Sequence, residues 1–427
     1  MKLIDMKNAL CAGNFNQRLA EVYGADAAHA QQARYAKALD EFAALYGSGR
    51  DVSLFSVSGR SELSGNHTDH NFGCVVAASI DLDIIAVASA NADNIIRVKS
   101  EGFPADEVNL ATYNTPDPAM FATSASIIAG MSAQFSQNGL CTGGFDAYTT
   151  SAVLKGSGIS SSAAFEDMIG NILNYLYNDG KVDNVEIAKM SQKAENLFFG
   201  KPCGLMDQVA CAHGGIVAID FADPSAPIIR GVPFDITAAG YALCIVNTGG
   251  NHADLTDDYA SIPAEMKAVA AHFGKKVLRE VSKADVVAAI PALREKLGDR
   301  AVLRAMHFFA ENERVLAQTD ALMHDDLDAF LSHVCASGQS SFCYLQNIYT
   351  TKAPSEQGLS LALCLAEQVL GGKKAAWRVH GGGFAGTIQA FVPMELVEEF
   401  RAAMDGAFGT GACLPLHIRQ VGACKIA

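Results

Sequence analysis

The sequence predicts a mixed protein of the α/β or α+β class, built from two or three domains. Three observations predict it. Apolar residues recur at helical spacing in several long segments, and strand-like runs lie between those segments along the whole chain. The chain also has 427 residues, 50% of them hydrophobic. That length suits domains of ~100–200 residues and is ample for a sizeable core.

The elements follow in order. Ala33, Tyr35, Leu39, Phe42 and Leu45 mark a helix over 31–46. A short apolar strand at 52–57 enters a segment rich in Gly, Ser and Asn, 58–73, and strands follow at 74–89 and 95–98. Beyond Pro116 and Pro118 the pattern is helical over 119–135. A strand at 146–154 leads into a Gly/Ser loop, 156–162, with a long helix expected at 163–176. A second helix, 185–199, stops at Gly200, and a strand at 214–221 precedes a seam at 224–227. The second half reads as a strand at 242–247, helices at 291–297, 301–318 and 358–370, a glycine turn at 381–383 and a strand at 387–392. There is no internal repeat and no low-complexity tract.

Charged residues make up 18% of the chain, against ~25% in a typical globular protein, so much of it is packed inside. The net charge of −14 argues against a nucleic-acid or acidic-membrane surface, which needs a basic field. A local loop and a metal ion can still handle phosphates in an acidic chain. Eleven cysteines, with no C-x-x-C pair, read as reduced core thiols rather than a disulfide framework. Residues 1–14 include Asp5 and lack the apolar run of a secretory signal. The most apolar stretch, 74–90, is interrupted by Asp81 and Asp83 and is not a membrane span. The expected location is the cytoplasm.

The first segment that carries chemistry is Gly156-Ser157-Gly158-Ile159-Ser160-Ser161-Ser162-Ala163-Ala164. Glycines without a Cβ let backbone N–H groups turn toward an anion, and the helix behind presents a partial positive end. Serines at the mouth, Ser160, Ser161 and Ser162, can donate to phosphate or ligate Mg²⁺. No Gly-Lys-Ser/Thr follows, so this is not a Walker A loop. A solvent turn capping a helix would look similar, and the loop gains weight from its company.

That company is the string 59–71, Gly-Arg-Ser-Glu-Leu-Ser-Gly-Asn-His-Thr-Asp-His-Asn, which resembles the galactokinase signature G-R-x-N-L-I-G-E-H-T-D-Y-N. The Gly/Ser loop is similar to the second motif of that family, G-x-G-L-S-S-S-A. Residues 378–386, Arg-Val-His-Gly-Gly-Gly-Phe-Ala-Gly, resemble its third, a G-G-G-F-G-G turn. The motifs occur in family order, and the resemblance spans roughly 46–392. The chain therefore resembles a galactokinase-like member of the GHMP sugar and metabolite kinases.

The resemblance implies a two-domain fold, with a ribosomal-protein-S5-domain-2-like N-terminal half (1–225), a ferredoxin-like C-terminal half (226–427), and the active site in the cleft between them. It implies ATP and a small sugar as partners and Mg²⁺ as cofactor, and it leaves the oligomeric state open between monomer and weak dimer. Gly156, Ser157, Gly158, Ser160, Ser161 and Ser162 would bind ATP. Residues 193–208 are similar to the family's A-E-H…G-x-P-C-G-x-M-D-Q. Glu195 with Ser162 would bind Mg²⁺, Asp207 would face the acceptor hydroxyl, and Arg60 would steady the developing charge. The chemistry is sound by itself. Mg²⁺ takes hard oxygens and one or two carboxylates, phosphoryl transfer needs positioning and charge neutralisation, and a nearby carboxylate can accept the hydroxyl proton.

Sugar contacts are expected from Asp69 and His67, and from Tyr259, which falls on the family's sugar-touching tyrosine. A tyrosine there would equally serve packing. His67 and His70 form an H-x-x-H pair, but no third ligand has metal-like spacing. Sugar contact or loop hydrogen bonding is the expectation.

The match breaks in the acceptor pocket. Asn66 stands where the family has Glu, and Glu62 where it has Asn. A hydrogen bond to a charged group contributes ~1.5–3 kcal/mol against ~0.5–1.5 for a neutral one, a difference of roughly tenfold in affinity. We expect Glu62 and Asn66 together to set which hexose fits. His70 in place of Tyr, Asn251 in place of Arg and the missing basic pair after Tyr259 add to this departure. The expected reaction is phosphorylation of the anomeric hydroxyl of galactose or a close hexose. The alternatives are an N-acetylhexosamine or other hydroxylated acceptor, and a catalytically silent sugar sensor.

Overall fold

The computed structural model describes residues 1–153, 159–250 and 255–427. Among them no helix is long and apolar enough to cross a membrane. Two sheets organise the chain. The first comprises β1 (Ser53–Ser64), β2 (Cys74–Ala90), β3 (Ile95–Ser100), β4 (Ala105–Asn109), β5 (Phe145–Ser151), β6 (Ile216–Asp220) and β7 (Ile228–Val232). The second comprises β8 (Tyr241–Asn247), β9 (Ala376–His380), β10 (Thr387–Pro393) and β11 (Cys413–Leu416), and a short β12 (Cys424–Lys425) returns to the first sheet beside β1. The larger sheet runs β12-β1-β2-β5-β3-β4, and β6 pairs with the first half of β2 and with β7. Only the β3–β5 pairing is parallel among the described strands. The smaller sheet, β11-β8-β10-β9, is antiparallel.

The long β2 is buried along nearly its whole length because both faces of its sheet are covered. Ile85 and Val87 meet the amino-terminal helices, Leu3–Cys11, Asn16–Tyr23 and Ala28–Tyr46. Their neighbours Ala86 and Ala88 face the opposite core, packed with residues of the helices Ser124–Gln137, Ser161–Tyr177, Asn184–Ala194 and Met206–His213. Period-two alternation sends successive side chains into two cores. In the second half, Gly358–Leu370 and Val397–Phe408 cover the smaller sheet.

Two sequence expectations are corrected. The strand expected at 52–57 continues through the polar motif to Ser64. Its polar side chains are buried but bonded: the Ser58 hydroxyl donates to Cys211 O at 2.9 Å and Ser61 to Gln389 Oε1 at 3.2 Å. The pairing with β2 is irregular at 58–60 and 62–64, where such irregularities bend and twist a strand. The helix expected at 185–199 is α-helical only to Ala194, and Glu195–Phe199 forms a π turn, a feature frequent at functional sites. The seam drawn at 225/226 separates β6 from β7, which pair with each other.

Amino and carboxyl ends are pinned together at Asp83 on β2. Its fully buried carboxylate accepts from Tyr23 at 2.6 Å, from Ser56 and Arg34, and from Arg419 at 3.4 Å. Burial alone would raise this carboxyl, but the two guanidiniums outweigh burial and hold it below the usual range.

Candidate active site

Arg60 sits near the end of β1, where that strand passes against the residue that precedes the serine run. Arg60 N donates to Ile159 O at 3.1 Å. A Cβ on Gly59 would lie 2.9 Å from the same carbonyl, so this approach requires glycine. The Arg60 guanidinium forks onto Asp207, Nε to Oδ1 and NH2 to Oδ2, each at 2.8 Å. Asp207 lies in the first turn of Met206–His213, and Ser160 donates its hydroxyl to Oδ2. Burial alone would raise this carboxyl. The Arg60 fork and the Ser160 bond overcome burial and hold it below its ordinary range, so it is ionised. Its side chain keeps 32% exposure, which leaves it accessible to a hydroxyl.

Ser160 holds the N-cap position of the helix Ser161–Tyr177 in a left-handed conformation, φ 61° and ψ 61°, and its side chain makes no cap hydrogen bond. It serves Asp207, although the sequence assigned it to phosphate. Ser161 and Ser162 open the helix, with Ser162 exposed, and their N–H groups belong to the end that favours anions. Gly156, Ser157 and Gly158, expected at the phosphates, and Asn251, one of the departures from the family, lie outside the described residues.

Glu195, on the π turn, is buried. Its Oε1 accepts from Lys201 Nζ at 3.1 Å and its Oε2 from Gln208 Nε2 at 3.0 Å. The same nitrogen donates to Glu166 Oε2 at 3.0 Å. Gln208 Oε1 is buried and has no partner among the described residues. Burial, then the neighbouring Glu195 carboxylate, push the Glu166 carboxyl well above its usual range. The two carboxylates held by one amide supply hard oxygens of the kind a divalent ion takes. Glu166 and Gln208 had no assigned role in the sequence reading. The i,i+4 spacing from Ser162 to Glu166, one helical face, was the available signal.

The sugar motif closes against the glycine turn. Asn66 Nδ2 donates to Gly381 O at 2.6 Å, His67 Nε2 to Gly382 O at 2.9 Å, and the Tyr259 hydroxyl to Gly383 O at 2.8 Å. Gly383 has φ 83°, and a Cβ there would stand 2.0 Å from Asn347 O; no other residue fits. Burial holds the His67 imidazole down at about 4, so the ring is neutral, with its hydrogen on Nε2 facing the carbonyl. Tyr259 lies on the helix Thr256–His272 rather than in a loop. Asp69 backs against the segment just before Met206–His213: a Cβ on Gly204 would meet its Oδ2 at 3.0 Å.

The two exchanged residues touch. Asn66 Nδ2 donates to Glu62 Oε1 at 3.1 Å, and Arg378 NH2 donates to the same oxygen at 3.1 Å. Asn66 Oδ1 accepts from Asn347 Nδ2 at 2.7 Å, so its amide is engaged at both ends. Burial raises the Glu62 carboxyl, and Arg378 offsets this only in part.

A strand-borne arginine forked onto an aspartate, beside a serine-led helix end and paired carboxylates, is suited to moving a phosphoryl group onto an alcohol. The comparisons place the chain in that class: residues 125–215 match the GHMP kinases N terminal domain, and residues 40–90 the galactokinase galactose-binding signature. The galactokinase of Streptomyces coelicolor is 31% identical over 86% of this chain and 92% of its own length. That of Actinobacillus pleuropneumoniae serotype 3 is 31% identical over 85% and 91%. The chain belongs to the galactokinase family and is a phosphotransferase. Its fold matches the structure of Lactococcus lactis galactokinase complexed with galactose, with TM-score 0.75, 24% identity and coverage of 92% of this chain and 99% of that one. It also matches Methanococcus jannaschii mevalonate kinase, TM-score 0.60, 13% identity, covering 87% and 98%.

Proposed function

We propose that this enzyme transfers the terminal phosphoryl group of ATP to the anomeric hydroxyl of galactose or a close hexose. The observation that carries the reading is the Arg60–Asp207 fork at the mouth of the serine-led helix. Asp207, held ionised, accepts a hydrogen bond from the sugar hydroxyl and takes its proton as the bond to phosphorus forms. Arg60 keeps Asp207 in orientation and offsets negative charge during transfer. The N–H groups at the start of Ser161–Tyr177, with Ser161, receive the phosphates, and Gly156, Ser157 and Gly158 would complete the cradle. The residues present fit a divalent ion: Ser162 and Glu195 would hold Mg²⁺, which when bound neutralises phosphate charge.

Asp69, His67 and Tyr259 are the proposed sugar contacts, with Glu62 and Asn66 selecting the hexose. Because the Asn66 amide is engaged by Glu62, Gly381 and Asn347, a relative of galactose remains a second reading for the acceptor. The proposed division into halves, 1–225 and 226–427, is drawn at the seam 224–227, between the paired strands β6 and β7. All eleven cysteines are free thiols, which supports a reducing, cytoplasmic setting.

The test is ADP release across a panel of hexoses and N-acetylhexosamines, with the product position read by phosphorus NMR. Turnover with galactose or a close hexose, giving the sugar 1-phosphate, is expected. Binding of sugar and ATP without ADP release would refute the proposal.

A further inference from the structure

Glu166 has no part in the mechanism above, and its surroundings demand an explanation. It is 1% exposed on the helix Ser161–Tyr177, one turn beyond Ser162 on the same face. Its only hydrogen bond among the described residues comes from Gln208 Nε2 at 3.0 Å. Glu195 takes the second hydrogen of that nitrogen, also at 3.0 Å. Two buried acids therefore converge on one neutral amide. Among the described residues one cation forms an ion pair with either acid: Lys201, which bonds to Glu195 and has a side chain 61% exposed.

Two buried carboxyls this close do not both carry charge cheaply, and burial with the nearby Glu195 disfavours the charged form of Glu166; a positive charge between them would let both ionise. A surface lysine tied to one partner does not supply that charge. Gln208 Oε1, buried and without a partner among the described residues, leaves one acceptor of the cluster unmet. Ser162 lies on the open side of the same helix face.

Resting on the kinase reading, we infer that Glu166 is a second acidic member of the divalent-cation site, acting with Glu195 and Ser162. Gln208 spaces the two carboxylates and couples them to Asp207, its chain neighbour. Mg²⁺ accepts one or two carboxylates with phosphate and water oxygens, so the addition is chemically ordinary. Glu166 would contribute charge and orientation where Glu195 alone has half its oxygens committed to Lys201.

The experiment measures Mn²⁺ binding to the ADP-loaded, full-length protein by EPR, without turnover, for wild type, Glu166→Gln, Glu166→Asp and Glu195→Gln. Thermal melts without metal check each fold. We expect Glu166→Gln to weaken Mn²⁺ binding by ~10–100-fold with a metal-free melting temperature close to wild type, since an uncharged amide replaces a carboxyl whose charged form is disfavoured there. Glu166→Asp should recover most of the affinity. Unchanged Mn²⁺ affinity in Glu166→Gln, with Glu195→Gln impaired, overturns this inference and leaves the kinase reading standing. Unchanged affinity in both would remove the cation site from this cluster and overturn the two together. A loss shared by Glu166→Gln and Glu166→Asp, with lowered melting temperatures, would mark Glu166 as structural and also overturn it.

Discussion

Asn66 and Glu62 are bonded to one another at 3.1 Å, and Arg378 reaches the same Glu62 oxygen. Two of the departures from the family signature therefore meet: the amide at 66 and the carboxylate at 62 form one bonded pair. Asn66→Glu alone would set two carboxylates together in a buried site. Glu62→Asn alone would take the carboxylate from the buried Arg378, at ~3–5 kcal/mol. The double variant restores one charge of each kind. We predict that urea unfolding shows each single variant destabilised and the double variant substantially recovered, a coupling of ~0.5–3 kcal/mol. KM ratios between galactose and its relatives should shift roughly tenfold in the double variant.

Glu311 governs acid stability where the end of β1 meets the helices Asp299–Met323 and Leu327–Ser340. Its carboxylate accepts from Ser64 at 3.2 Å, Gly65 N at 3.1 Å and Ser337 at 2.6 Å. Burial opposes ionisation, but His307, Arg314 and Arg378 overcome it and hold the carboxyl at about 2, from 4.5. A depressed value stabilises above pH 4.5, and the contribution fades as pH falls toward 2. It is on the order of 3 kcal/mol. Denaturation midpoints followed from pH 5 to 2 should fall more steeply for wild type than for Glu311→Gln, which should be less stable at pH 7.

At Asp83, substitution by Asn would leave Arg34 and Arg419 facing each other without their common counter-charge. We predict a loss of ~3–5 kcal/mol. Hydrogen exchange should rise first in the helix Ala28–Tyr46 and around Arg419, the segments this carboxylate joins. Unchanged exchange there would contradict the pinning role.

Gly383→Ala should damage sugar binding selectively. The added methyl would collide with Asn347 O, 2.0 Å away, at a φ of 83°, and the turn carrying the carbonyls that hold Asn66, His67 and Tyr259 would have to move. The expected result is a rise of about tenfold or more in KM for the sugar, with the KM for ATP changed much less.

Much of this was legible in the sequence where local pattern and fold agree. Helices such as Gly358–Leu370 follow from apolar periodicity. Asp207 and Arg60 followed from motif spacing, and the structure joins them directly. What stayed hidden depends on distant partners. The second half of β1 reads as loop because its serines, Arg60 and Glu62 are polar, yet Cys211, Gln389 and Arg378 satisfy them from far along the chain. Ser160 reads as a phosphate ligand, and only the packing of Met206–His213 reveals its bond to Asp207. The contact of Glu166 with Glu195 through Gln208 spans three separate segments, which no local pattern encodes.

The central claim is that the carboxylate at 207 receives the acceptor's proton. The most direct measurement is single-turnover ADP formation by Asp207→Ala, with galactose and ATP saturating and folding verified by thermal melt. The account predicts a rate reduced by ~10²–10⁴-fold with sugar and nucleotide still bound. A folded Asp207→Ala enzyme that turns over at the wild-type rate would contradict it.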